Sequence, residues 1–171
     1  MSTLRTRTSL LVLTVLAALL GAQPAGAQTV LLMVTEAANS QPLLPPLAVR
    51  EGVSASLFDA GCIVLDAPAG GRLPAPAEAA RLARSAGAEV ALEVSTEYAD
   101  TSVEANLLRI AARTTYAVID PATSGVLARG TREATNSGRE KDVGRVALGA
   151  EIGKDVARVI QDVLDRRARG G

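Results

Sequence analysis

The clearest pattern along the chain has a period of two. From Val90 to Tyr98, Val90, Leu92, Val94, Thr96 and Tyr98 alternate with Ala91, Glu93, Ser95 and Glu97. From Asn106 to Val118, Leu108, Ile110, Ala112, Thr114, Tyr116 and Val118 alternate with Leu107, Arg109, Ala111, Arg113, Thr115 and Ala117. Successive side chains of a strand point to opposite faces, so these runs predict antiparallel strands that are wet on one side. Residues 99–105 read as the loop between them. Asp120-Pro121-Ala122-Thr123-Ser124-Gly125 has the chemistry of a turn. Val126 to Glu133 then makes a third strand, with Val126 and Ala128 inward and Arg129, Thr131 and Glu133 outward.

Elsewhere the pattern changes. Gln28 to Thr35 is a short apolar run and predicts a buried strand. Glu36 to Pro46 reads as a loop, and Pro45 and Pro46 suit a first helical turn, where a missing N–H costs nothing. Leu47 to Ala60 spaces Val49, Val53, Leu57 and Ala60 at helical intervals, with Phe58 beside them and Gly61 placed to end the helix. Cys62 to Leu65 reads as a second apolar strand opened by a core cysteine, and the Pro- and Gly-rich stretch after it breaks the chain. Pro76 to Ala86 predicts a helix with Ala79, Leu82, Ala83 and Ala86 on one side and Arg81 and Arg84 on the other, stopped by Gly87. Thr135 to Glu140 reads as a loop.

Asp142 to Arg167 predicts a long helix with the apolar stripe Val143, Val146, Ala150, Gly153, Val156, Ala157, Ile160, Val163 and Leu164. A glycine inside a helix costs about 1 kcal/mol relative to alanine. Gly149 and Gly153 therefore predict close approach to the sheet, whereas residues 166–171 are expected to fray. The order β-α-β-α-β-β-β-α predicts an α/β (α+β) fold. It is a single domain, residues 28–171, with one mixed sheet of about five strands and helices packed on it.

The segment ahead of this domain adds a compartment. Arg5 and Arg7 precede the apolar run Leu10 to Leu20, and Ala25-Gly26-Ala27 offers small residues for cleavage, so residues 1–27 read as a signal peptide. The run is about half of the roughly 20 residues that span a bilayer, so no membrane span is expected in the mature protein. Removing Arg5 and Arg7 leaves 16 basic and 18 acidic residues, a net charge of −2, which disfavours nucleic acid as a partner. With export expected, the single cysteine excludes an intramolecular disulfide. The chain has no histidine, which removes Ser-His-Asp and Cys-His catalysis and His-ligated metal sites. No catalytic residue, cofactor or metal is expected.

One resemblance follows from these residues. The segment Ala83-Arg84-Ser85-Ala86-Gly87-Ala88-Glu89 leads into the meander, whose turn reads Tyr116-Ala-Val-Ile-Asp120-Pro-Ala-Thr-Ser-Gly125-Val-Leu-Ala128, and a long C-terminal helix closes the domain. The pattern resembles the small α/β domain of bacterial envelope proteins, seen in the TolB N-terminal domain, CsgG, LpoB and a flagellar assembly protein. Ser124 stands as an insertion between the Thr and Gly of the usual turn. The resemblance implies a non-catalytic module in cell-envelope assembly or maintenance, periplasmic or secreted, that works through an envelope protein partner. It carries no catalytic residues to transfer.

Two groups of residues are candidates for that work. Folding the hairpin about residue 102 sets Ser95 opposite Arg109, with Glu93 and Glu97 on its diagonals and Arg113 beyond. With Asp100 and Glu104 in the loop, these residues form either a solvated face with cross-strand ion pairs or a partner-docking face. The alternative is a small-ligand or anion site at Gly70, Gly71 and Arg72, where backbone N–H groups after a strand face a ligand.

Overall fold

The computed structural model describes residues 28–43, 48–67, 72–103, 107–138 and 141–170, with the backbone alone for 100–103, 107–109, 136–138, 141–143 and 170. The expected signal peptide 1–27, Pro45, Pro46, Leu47, Gly70, Gly71, Glu104, Arg139 and Glu140 lie outside the described residues. The elements are β1 (Thr29–Ala38), β2 (Gln41–Leu43), α1 (Ala48–Asp59), β3 (Ile63–Asp66), α2 (Pro76–Ala86), β4 (Val90–Val103), β5 (Leu107–Ile119), β6 (Val126–Gly138) and α3 (Lys141–Gly170).

They form one six-stranded mixed sheet in the order β2-β1-β4-β5-β6, with β3 also paired to β1. β1 runs parallel to β4 from Val30 to Ala38. Its other edge carries β3, parallel, along Thr29–Leu32 and β2, antiparallel, along Glu36–Ala38. The chain leaves β1 through α1 to reach β3, then returns across β1 through α2 to reach β4. Right-handed crossovers taken in opposite directions put their helices on opposite faces of a sheet. Accordingly α1 and α3 share one face, where Val49, Val53 and Leu57 meet Leu148, Ile152 and Ile160 over the even-numbered residues of β1 and β4. Among the described residues, the other face holds only α2, whose Ala79, Ala80 and Ala83 sit on Leu31, Met33, Ala91 and Ile119.

The two helices on the first face meet backbone to backbone. A Cβ at Gly149 would run into the Ala48 carbonyl, one at Gly153 into the Gly52 backbone, and one at Gly52 into Gly149. The small residues of α3 therefore face α1, not the sheet as the sequence predicts. The stripe is also rotated: Val146 is half exposed, while Leu148 and Ile152 are buried.

Other expectations need correction. Two residues with positive φ, Asn39 (49°) and Ser40 (64°), turn the chain directly into β2, so the expected loop 36–46 begins as the end of β1 and a hairpin. β3 pairs only with β1 and lies at the edge, so Ile63 is exposed and only Cys62, just before it, is buried. Ala80 rather than Ala86 lies on the buried side of α2. The expected loops 99–105 and 135–140 are largely strand, because polar side chains do not prevent backbone pairing: β4 reaches Val103 and β6 reaches Gly138.

The hairpin register moves with them. Arg109 stands opposite Thr101, and Ser95 opposite Thr115. A bulge at Val118/Ile119 shifts β6 by one residue, so Val126 packs on the α2 side and Ala128 on the other. α3 continues to Gly170, and Arg167 bonds the Glu89 carbonyl at 3.0 Å.

The glycine crossing yields a paired prediction. Alanine at Gly153 gains about 1 kcal/mol of helix propensity, but overpacking against a backbone costs about 1–3 kcal/mol or more. Gly153→Ala should therefore lower stability. Gly144→Ala meets only the Ile110 Cδ1 methyl, at 2.6 Å on a side chain that can move, and should be neutral or stabilising. Urea denaturation of both variants checks the contrast.

Candidate functional site

Three rows of side chains cross the face that α2 shares with solvent. The register sets Glu97, Arg113 and Glu133 in one row across β4, β5 and β6. The next row is Thr35, Ser95, Thr115 and Thr131, and the third is Met33, Glu93, Ala117 and Arg129. Beyond the charged row, Ala99 and Ala111 form an apolar floor, and the whole makes a shallow groove of about 490 Å³. Arg113 Nε lies 3.2 Å from Glu133, and both side chains are well exposed. Ser40 donates to Glu97 at 3.4 Å. An exposed pair of this kind contributes about 0–1 kcal/mol, so the row does little for stability.

The predicted residues thus divide. Glu93, Glu97 and Arg113 share this face. Arg109 lies two rows beyond Arg113, paired with Thr101 and Ser137. Asp100 is in β4 rather than a loop, paired with Ile110 and out of phase with Glu97. Arg72 is exposed and lines a cleft of about 300 Å³ with Thr35, Glu36, Pro42, Leu73 and Ser95, at the carboxyl end of β1.

Glu93 differs from its neighbours. It is only 8% exposed, and its Oε1 is shut from solvent without a hydrogen-bond partner. Burial raises its pKa above the ordinary glutamate value. The sequence placed it on a wet face, but α2 and Leu73 close over that end of the sheet.

Two buried acids that the sequence reading left aside are fully engaged. Glu36 Oε1 accepts the Val49 N–H at 2.9 Å, so this carboxylate caps α1 from β1. Its Oε2 accepts from the Tyr98 hydroxyl at 2.8 Å, and Arg145 stacks 5.3 Å from the Tyr98 ring centre. Burial first, then the Glu36 charge, push the Tyr98 phenol far above its usual range. At the opposite end, Asp120 accepts the Ala122 N–H at 2.9 Å and pairs with Arg167 at 2.8 Å. Burial alone would raise its pKa, but these two partners and Thr123 hold it below the ordinary value. Arg84 bonds the Pro121 carbonyl, so α2 and α3 both clasp this turn. Ser124 fits the turn in a left-handed conformation, φ 60°.

Little here points to bond-making chemistry. Cys62 is buried and its thiol pKa is raised, by burial first and then by Glu89, so it is not a ready thiolate. Among the described residues no group of three or more Cys, Asp or Glu is placed to hold a metal, and no helix is long and apolar enough to cross a membrane.

No family model matches the chain, and no curated protein matches it. Solved structures do. The PelC dodecamer from Paraburkholderia phytofirmans aligns at 20% identity over 78% of this chain and 88% of its own, with a TM-score of 0.55. Protein XCC0632 from Xanthomonas campestris, of the family DUF330, aligns at 8% identity over 86% of this chain and 93% of its own, with a TM-score of 0.53. Both share the fold. The LpoB C-terminal domain from Salmonella enterica aligns at 18% identity over 69% of this chain and 90% of its own, but its TM-score of 0.43 is too low to carry an argument.

Two pH dependences follow, of opposite sign. Asp120 has a lowered pKa in the fold, so its contribution is present above the ordinary aspartate value and lost as pH falls through the lowered one. The stability advantage of the wild type over Asp120→Asn should be full at pH 6 and shrink toward pH 3. Glu93 has a raised pKa, so its contribution is full below the ordinary glutamate value and lost as pH rises through the raised one. Glu93→Gln should be more stable than the wild type at pH 8 and lose that advantage at pH 4. Denaturant midpoints across this range test both.

Proposed function

We propose that this protein is a non-catalytic, exported interaction module of the cell envelope, periplasmic or secreted, that docks a protein partner on the open half of its sheet. The observation that supports this most directly is the Glu97–Arg113–Glu133 row. It stands exposed beside an alanine floor, on a face that α2 covers only at its other end. Alternating charges around a small apolar floor give a partner both register and a dry contact. The absence of histidine and the engaged state of Glu36 and Asp120 favour binding over catalysis.

In-cell crosslinking of the tagged protein should capture a reproducible envelope partner. Charge reversal at Arg113, alone or with Arg109→Glu, should abolish that capture while stability changes by less than about 1 kcal/mol, as expected for an exposed pair. Reversal of exposed Lys154 on α3 should leave it intact. Capture that survives Arg113→Glu would remove this face from the reading.

A further inference from the structure

A separate cavity of about 550 Å³ opens between the sheet and the start of α2. Leu73, Pro76 and Val126 supply apolar wall, and Glu93, Thr115 and Thr131 supply polar groups. Glu93 is more than nine-tenths buried, with one carboxyl oxygen sealed from water and bonded to nothing. A buried acceptor without a partner is costly, and native folds keep few of them. Its row neighbours, Met33 and Ala117, offer no donor. Arg129 is the one other charged residue lining the cavity, two strands away or about 10 Å. It is exposed and makes no bond to Glu93.

We propose that this cavity binds an aliphatic primary ammonium group, with Glu93 accepting its N–H, Thr115 and Thr131 as further acceptors, and Leu73, Pro76 and Val126 packing on the stem. The lining argues against other ligand classes. An anion would meet the Glu93 carboxyl group, with the cavity's cation, Arg129, about 10 Å away at the rim. A sugar would lack an aromatic platform, because Tyr116 packs into the core of the opposite face, against Gly130. An ammonium brings a donor and the opposite charge to the Glu93 carboxyl where it lines the cavity. Burial raises the Glu93 pKa, and a bound ammonium would oppose that shift by favouring the carboxylate. Arg129 opposes the incoming charge from the rim.

The ammonium has two sources, a free alkyl diamine or a lysine side chain on another polypeptide. Calorimetric titration of the purified protein with cadaverine, and separately with Nα-acetyl-lysine N-methylamide, distinguishes them. Saturable binding of either ligand is expected, weakened about tenfold or more by Glu93→Gln, in line with loss of a charged hydrogen bond. Arg129→Ala should tighten it, and doubly acetylated cadaverine should not bind. Binding of cadaverine assigns the site to free amines, and binding of the lysine derivative alone assigns it to a polypeptide lysine. Failure of both ligands, or wild-type affinity in Glu93→Gln, overturns the proposal. Arg113→Glu should leave this binding unchanged, which separates it from the docking face.

Discussion

The architecture depends on the place where α1 and α3 touch. Gly52, Gly149 and Gly153 let two helix backbones meet without side chains between them. Both helices then fit on one face of the sheet, and that face is closed by their apolar side chains. The other face is left to α2. Eleven helical residues span only about 16 Å, whereas the strands beneath, 13 or 14 residues long, run about 45 Å. α2 cannot cover them. The open half of the sheet therefore follows from helix length and from the crossing on the far side.

Three buried acids show how differently this fold uses carboxylates. Glu36 closes the N-terminus of α1 and holds Tyr98, which links β1, β4 and a helix across the core. Asp120 anchors the turn before β6 and is clasped by α3 through Arg167, while Arg84 of α2 holds the next residue. Both have donors for their buried oxygens, as a stable interior requires. Glu93 has none for Oε1, and it lies where the cover of α2 ends. The contrast separates two acids that build the fold from one that the fold does not need.

The charged row has yet another character. Its members are exposed, weakly paired and cheap to change, so packing does not explain their arrangement. The likeness to PelC and to a DUF330 protein is one of fold alone at these identities, and fold does not fix function. The reading of this face as a docking surface therefore rests on its geometry.

Much of this was legible in the sequence. The period-two runs placed the meander, and the alanine-rich stretch gave α2 with the same bounds, Pro76–Ala86, because periodicity and capping are local. The alternation also put Glu93, Glu97 and Arg113 on one face. It could not fix register: any even shift preserves the faces, so Arg109 stood equally well opposite Ser95 or Thr101 until the lengths of β4 and β5 were known. The bulge that parts Val126 from Ala128, the hairpin at Asn39-Ser40, and the meeting of the α3 glycines with α1 likewise depend on partners distant in sequence. The sequence by itself determined the elements and their apolar sides. Tertiary packing decided which face stayed open and which acid lost its water, because both depend on what a distant segment covers.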